Sequence, residues 1–259
     1  MITNPLNNKV IQRLLFIALL LIGYRSLGQT TDTSFGKPIF WYRVSHPWAL
    51  FMGAEGPPFI LYDNGKILFW KNGGYNVAQI SEDEKLELIS ELELRDTIFN
   101  KSRYYNATNP DPNGEIIVTD NPSYGVFVRL DTLVIVSVYG SISSREYRKR
   151  FPSQVLKIHD FVLNFETNKY TKWIPERIEV LLSDYSHSPE PPIKWPTGWP
   201  DLNSQDTRKQ SGFVTSIFLD KKYLSELTKL IRNRREKQAF EINGKKYFIG
   251  YRFPIPGLY

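Results

Sequence analysis

The sequence contains no cysteine among its 259 residues, and only three histidines and two methionines. The absence of cysteine excludes disulfide bonds, cysteine nucleophiles and thiolate metal sites. His46, His159 and His187 lie too far apart in the sequence for the ligand spacing that is typical of zinc sites. Neither a G-x-S-x-G elbow nor a glycine-rich phosphate loop is present. The sequence therefore identifies no reaction, and we predict no cofactor.

Aromatic residues are plentiful, at 14% of the chain, and hydrophobic residues together make up 41%. These side chains supply enough apolar area for a buried core, because aromatic rings carry large apolar surfaces. The composition is close to the globular average. Collagen, coiled-coil and fully disordered classes are therefore excluded.

Residues 1–28 are typical of a secretory signal peptide. Lys9 and Arg13 precede an apolar run over residues 14–24, and Ser26 and Gly28 are small residues placed for a cut after Gly28. The run is short for a hydrocarbon core of about 30 Å. We predict a secreted or periplasmic protein that keeps no stable membrane span after cleavage. An uncleaved anchor is the alternative, since Arg25 is an unusual neighbour for a cleavage site.

The positive charge of the chain is partly due to this leader. Removing residues 1–28 takes away three basic residues and no acidic one, which lowers the formal net charge from +6 to +3. Two basic clusters remain, at residues 145–150 and 232–237, and both are interpreted as solvated helix ends. A nucleic-acid partner is not predicted, because such binding needs a concentrated basic face inside the cell.

Strand and turn signals are spread along the whole mature chain. Residues 59–70 predict a hairpin in which Asn64-Gly65 favours a type I′ turn. Residues 126–139 predict a second hairpin, and Asn243-Gly244 predicts a closing one. Residues 177–182 and 213–219 are predicted strands. Residues 100–113 and the proline-rich segment 186–202 are predicted loops or extended segments.

Three helices are predicted, over residues 81–94, 151–166 and 220–234. Ser81 and Glu84 form a capping-box pair at the start of the first helix. His159 lies on the apolar face of the second helix, where a hydrogen-bonded core histidine is expected. The element order indicates an α+β protein with antiparallel sheets built from hairpins. Two similar subdomains are suggested, over residues 29–145 and 146–259.

Several short motifs resemble, in the same order, those of a broad set of exported bacterial proteins that has no assigned activity. Residues 61–65 (LYDNG) are similar to an LYGDG hairpin, and the Trp195-Pro196 and Trp199-Pro200 pairs resemble a W-P segment. Residues 252–256 (RFPIP) resemble an R-P-L-L-P tail, from which Phe253 departs. Further matches lie at residues 119–122, 173–180 and 243–247. The resemblance implies export and architecture, and it assigns no catalytic residue.

Residues 109–120 (NPDPNGEIIVTD) contain the oxygen spacing of a calcium loop. Asp111, Asn113 and Asp120 are the candidate metal ligands, with Gly114 at the position of the sharp turn. Two prolines and the absence of a glutamate at the last position favour a plain surface turn instead. The acid-rich loop nevertheless motivates one alternative function, an envelope hydrolase with an Asp/Glu-based or calcium-assisted site.

Two groups of aromatic residues suggest ligand binding. Trp195 and Trp199 share the proline-rich segment with His187, and a second group contains Trp41, Tyr42, His46 and Trp48. Exposed indole faces can stack on sugars or on peptide prolines. Packing of these rings over sheet edges is the alternative. The sequence as a whole favours a non-catalytic binding or scaffolding protein of the cell envelope, whose ligand is an envelope or extracellular peptide or glycan.

Overall fold

The structure is a computed structural model, and it describes residues 32–49, 51, 55–109, 119–209 and 214–258. Residues from Thr33 to Tyr259 form one compact unit. Four α-helices and 14 strands in two sheets make up the described part, which confirms the predicted α+β class.

The first sheet has eight strands in the order β5-β7-β6-β1-β2-β3-β4-β8. All neighbouring strands are antiparallel except β5 and β7, which are parallel. The bounds are β1 Pro38–Ser45, β2 Phe59–Tyr62, β3 Lys66–Lys71, β4 Gly74–Gln79, β5 Arg103–Asn106, β6 Ser123–Arg129, β7 Leu133–Tyr139 and β8 Thr171–Lys172.

The second sheet has six strands in the order β10-β13-β14-β9-β12-β11, and only the β10–β13 pair is parallel. The bounds are β9 Arg177–Asp184, β10 Ile193–Lys194, β11 Thr207–Lys209, β12 Val214–Asp220, β13 Phe240–Ile242 and β14 Lys245–Arg252. The chain passes from the first sheet to the second between Lys172 and Arg177, which is later than the subdomain boundary predicted at residue 145.

The three predicted helices are present as α1 (Glu82–Glu91), α3 (Ser153–Asn164) and α4 (Leu224–Asn233), and a short helix α2 covers Arg145–Arg148. The capping box of α1 is confirmed. The Glu84 N–H donates to the Ser81 hydroxyl at 3.2 Å, and the Ser81 N–H donates to the Glu84 carboxylate at 2.7 Å. These two bonds satisfy backbone donors that a helix start otherwise leaves without partners.

The hairpin turns correct one detail of the sequence interpretation. Only Gly65 has a positive φ at the first Asn-Gly pair, so a three-residue connection joins β2 and β3 instead of a type I′ turn. Asn243 and Gly244 both have positive φ, as a type I′ turn requires. Asn72 and Gly73 show the same geometry and form a β3–β4 hairpin that was not predicted.

The prediction of a loop over residues 100–113 was wrong in part, because Arg103–Asn106 form the edge strand β5. Most of its side chains are exposed and polar. An edge strand of this kind carries no alternating hydrophobic pattern, and its pairing partner β7 lies about thirty residues further along the chain. Its strand character therefore comes from backbone pairing with β7.

Three clusters of buried side chains stabilise the unit. The first lies between one face of the first sheet and helices α1 and α3. The second lies between the second sheet and α4. The third lies on the opposite face of the first sheet and includes Phe35, Trp41 and Ile255. The helix α3 therefore packs with the first sheet, although it follows residue 145 in the sequence.

Candidate functional site

Trp195 and Trp199 are part of the second core. Trp199 is only 9% exposed, and its ring centroid lies 4.9 Å from that of Tyr223. The Trp195 indole N–H donates to the Pro200 carbonyl at 2.9 Å, and the two indoles meet edge to face at 5.2 Å. This geometry agrees with the packing alternative, since the rings are committed to contacts within the chain.

His187 is an exposed residue of the same proline-rich segment. Its ring meets Tyr185 edge to face, with the centroids 4.9 Å apart. Within the described part of the chain, no hydrogen bond or ring contact joins His187 to Trp195 or Trp199. The structure thus brings Trp195 and Trp199 into contact, whereas the ring contact of His187 is with Tyr185.

Most of the predicted calcium loop lies outside the described residues, including Asp111 and Asn113. Asp120 is described; it has a positive φ of 67°, and its carboxylate accepts a hydrogen bond from the Thr119 hydroxyl at 3.1 Å. Among the residues that the structure places, no group of three or more histidines and acids could hold a metal ion.

The second aromatic group is split between the two faces of β1. The ring of Trp41 stacks on Phe127 at 4.9 Å, and the Arg129 guanidinium lies 5.3 Å from the Trp41 ring. Tyr42 points to the other face and is fully buried. Trp48, in the loop after β1, is 78% exposed. The alternation of side chains along a strand thus separates residues that are adjacent in sequence.

Three aromatic rings, from β3, from β4 and from the residue that follows β8, form a row on the face of the first sheet that is opposite α1 and α3. Trp70 of β3 is paired with Tyr75 of β4, and their ring centroids lie 5.0 Å apart. The backbone N–H of Trp173 donates to the backbone carbonyl of Tyr75 at 2.9 Å, and the ring centroids of these two residues lie 6.0 Å apart. Both contacts are edge to face, which is a favourable geometry for aromatic pairs. We call Trp70, Tyr75 and Trp173 the aromatic ladder.

The aromatic ladder is supported from behind by rings that come from other parts of the chain. The ring of Phe253, just after β14, lies 6.2 Å from Tyr75 and 6.4 Å from Trp173. Phe35 lies 5.8 Å from Trp173. The Tyr75 hydroxyl donates to the Pro57 carbonyl at 3.0 Å. These contacts fix the orientation of the middle ring, which is only 4% exposed.

Exposure increases from the middle of the aromatic ladder towards Trp70. Trp173 is partly buried, whereas Trp70 is 50% exposed. An exposed indole that is held by a buried neighbour presents a flat apolar surface with a fixed direction. Such a surface can stack on an apolar face of a ligand, and it offers no group for nucleophilic or acid–base chemistry.

The second sheet contains a buried carboxylate, that of Glu179, whose contacts are with side chains of neighbouring strands. Glu179 is 1% exposed, and its carboxylate accepts hydrogen bonds from the Ser216 hydroxyl at 2.7 Å and from the Arg252 guanidinium at 2.6 Å. Ser216 is also fully buried. This pairing makes Glu179 a structural residue, because the loss of either partner would leave a costly buried charge without its full set of contacts.

Sequence reasoning did not single out the aromatic ladder. Trp70 stands in the predicted 59–70 hairpin, but its neighbours depend on the β3–β4 hairpin and on β8. The Asn72-Gly73 pair was the available signal, because a two-residue turn there places Trp70 opposite Tyr75. The position of Trp173 has no comparable local signal.

Comparisons of the chain with protein family models, with curated proteins and with solved structures found no match. The resemblance to exported bacterial proteins described above therefore remains a prediction.

Proposed function

We propose that this chain is an exported, non-catalytic binding protein of the cell envelope, and that Trp70 is the contact residue of its ligand surface. The observation that carries this proposal is the half-exposed indole of Trp70 at the open end of the aromatic ladder. Removing an indole face from water is favourable by about 2 kcal/mol, so an ordered, exposed Trp is a ready anchor for a partner.

The support behind Trp70 favours binding further. Tyr75 is held by its hydroxyl bond to Pro57 and by the rings of Trp173 and Phe253. The Asn72-Gly73 turn fixes the hairpin on which Trp70 lies. A surface that is ordered before binding loses less conformational entropy when the ligand arrives.

The chemistry of the aromatic ladder indicates the kind of ligand. Its exposed surface is an aromatic ring edge and face, without an ion-pairing group from the ladder itself. The sugar rings of glycans and the proline rings of extended peptides present matching apolar faces. The ligand is therefore a glycan or a peptide of the envelope or the extracellular space.

The leader sequence supports the location. Residues 1–28 have the charge, the apolar run and the small residues of an exported protein. None of the helices in the described ranges combines the length and the hydrophobicity that a transmembrane helix needs.

A binding screen tests this function. The full chain and its Trp70→Ala variant are applied to immobilised glycans and to proline-containing peptides, and bound protein is measured by fluorescence. We expect the wild type to bind at least one probe and Trp70→Ala to bind it about tenfold more weakly, which corresponds to about 1.4 kcal/mol.

Tyr104→Ala is the matched control, because Tyr104 is a 66% exposed aromatic residue on the distant edge strand β5. Its binding should equal that of the wild type. Equal binding by Trp70→Ala and the wild type, or no binding of the wild type to either set of probes, would remove the proposal.

A further inference from the structure

His159 of α3 connects this helix to the first sheet through a buried hydrogen bond. Its Nδ1 atom lies 2.7 Å from the hydroxyl of Tyr42 on β1. His159 is 8% exposed and Tyr42 is 1% exposed. The imidazole therefore occupies the interface between the helix and the sheet, where water has little access.

The ring of His159 is enclosed by two tyrosines. Its centroid lies 5.8 Å from that of Tyr42 and 5.6 Å from that of Tyr124 on β6, and both contacts are edge to face. The Tyr124 hydroxyl accepts a hydrogen bond from the Ile142 N–H at 3.4 Å. Burial raises the pKa of both tyrosines, so they stay neutral and supply no negative charge to the imidazole.

Two charged groups act on His159 from the helices. Asp160, its neighbour on α3, favours a charged imidazole, and Arg148 of α2 disfavours it. The Arg148 guanidinium binds both oxygens of the Asp160 carboxylate, at 3.0 and 2.8 Å. The carboxylate that could balance an imidazolium is thus already engaged by a cation. Burial, the largest of these effects, lowers the pKa of His159 below 6.5.

We propose that His159 makes the packing of α3 on the first sheet sensitive to acid, because protonation of its imidazole weakens this attachment. Val155 and Ile158 of the same helix are fully buried against that sheet. A positive charge beside these two side chains destabilises the packing of α3 on the sheet, because a buried charge without a balancing partner is costly.

The pH window follows from the direction of the pKa shift. The folded protein holds a neutral imidazole at a pH where the unfolded chain already binds a proton. The stabilisation is fully present above about pH 6.5, and it is lost as the pH falls towards the lower pKa of the folded state. In this window each pH unit lowers the unfolding temperature of a unit of this size by about 3–5 °C.

The test compares the unfolding temperatures of three forms of the full chain at pH 7.5 and pH 5.5. His159→Asn removes the titrating ring and keeps an acceptor for Tyr42. His187→Asn is the matched control, because His187 is exposed and carries the same substitution. We expect the wild type and His187→Asn to lose more than His159→Asn between these pH values, by up to about 3–5 °C.

Hydrogen exchange of the wild type gives a second measurement, which does not depend on whether His159→Asn folds. We expect the backbone amides of α3 to exchange faster at pH 5.5 than at pH 7.5, after correction for intrinsic rates, and those of α4 to change less. An equal pH dependence of unfolding in His159→Asn and the wild type, or unchanged protection of α3, would overturn the proposal.

Discussion

Individual tryptophans of this protein have opposite environments, although the sequence presents them alike. Trp199 is 9% exposed and packs against Tyr223 and Trp195, whereas Trp70 is 50% exposed. The first belongs to a core and the second to a surface. A substitution at each position should therefore affect different properties.

We predict that Trp199→Ala lowers the free energy of unfolding by about 3–5 kcal/mol, because it removes a buried indole and leaves a cavity in the second core. Trp70→Ala should lower it by under about 1 kcal/mol. Denaturant unfolding, followed by far-ultraviolet circular dichroism, gives both values. If Trp199→Ala were as stable as the wild type and instead lost ligand capture, the packing role assigned to Trp199 would be wrong.

The reason why the sequence did not separate these two tryptophans is physical. The capping box at Ser81 and Glu84 was predicted correctly, because both partners lie within one helical turn. The burial of Trp199 depends on Tyr223, which is 24 residues away, and on the path of a proline-rich segment. Patterns of local spacing carry no information on such pairings.

At the scale of elements, strands with an apolar pattern of their own were predictable, and the edge strands were not. The predicted strands at residues 177–182 and 213–219 correspond to β9 and β12. The β6–β7 hairpin and the β13–β14 hairpin follow from alternating residues and a short turn. The strand β5 pairs in parallel with β7 after a long excursion of the chain, and β8 has only two residues. These segments are strands because they form backbone hydrogen bonds with a neighbouring strand. The pattern of their own side chains therefore does not predict them.

The edge strands of both sheets share one protective feature. Each carries a basic side chain that opposes pairing with another chain: Arg103 on β5, Lys172 on β8, Lys194 on β10 and Arg208 on β11. Lys194 also forms an ion pair with Glu241, and Arg103 donates to the Thr97 carbonyl. Charged side chains on an edge strand discourage association, because a paired edge would bury them.

We predict that Lys172→Ile promotes association of the protein through β8 while it changes the free energy of unfolding by no more than about 0.5 kcal/mol. Size-exclusion chromatography with light scattering, over a range of concentrations, measures the association. Lys101→Ile is the control, since Lys101 is also exposed and lies outside the described strands. Identical elution of Lys172→Ile and the wild type would show that this lysine does not protect the edge.

At the scale of the whole molecule, the α+β class was predictable and the arrangement of the parts was not. The Tyr62 hydroxyl of β2 donates to the Pro256 carbonyl at 3.1 Å, and Ile255 is buried in the third core. The last residues of the chain therefore complete a core on the first sheet, 194 positions away from Tyr62. Hydrophobic patterning places side chains inside a core, but it does not identify which sheet they cover.

The predicted signal peptide over residues 1–28 can be tested on the whole protein. When the full chain is expressed in a bacterium with a general secretion system, we expect the exported form to begin at Gln29. Signal peptidase requires small residues before the cut, and Ser26 and Gly28 occupy those positions. Intact mass spectrometry of the periplasmic and medium fractions measures the new terminus.

In a Gly28→Arg variant the cut should be blocked, so that the full chain stays with the membrane fraction. A wild-type product that begins at Met1 and stays in the cytosol would contradict export, and the basic clusters at residues 145–150 and 232–237 would then face intracellular partners.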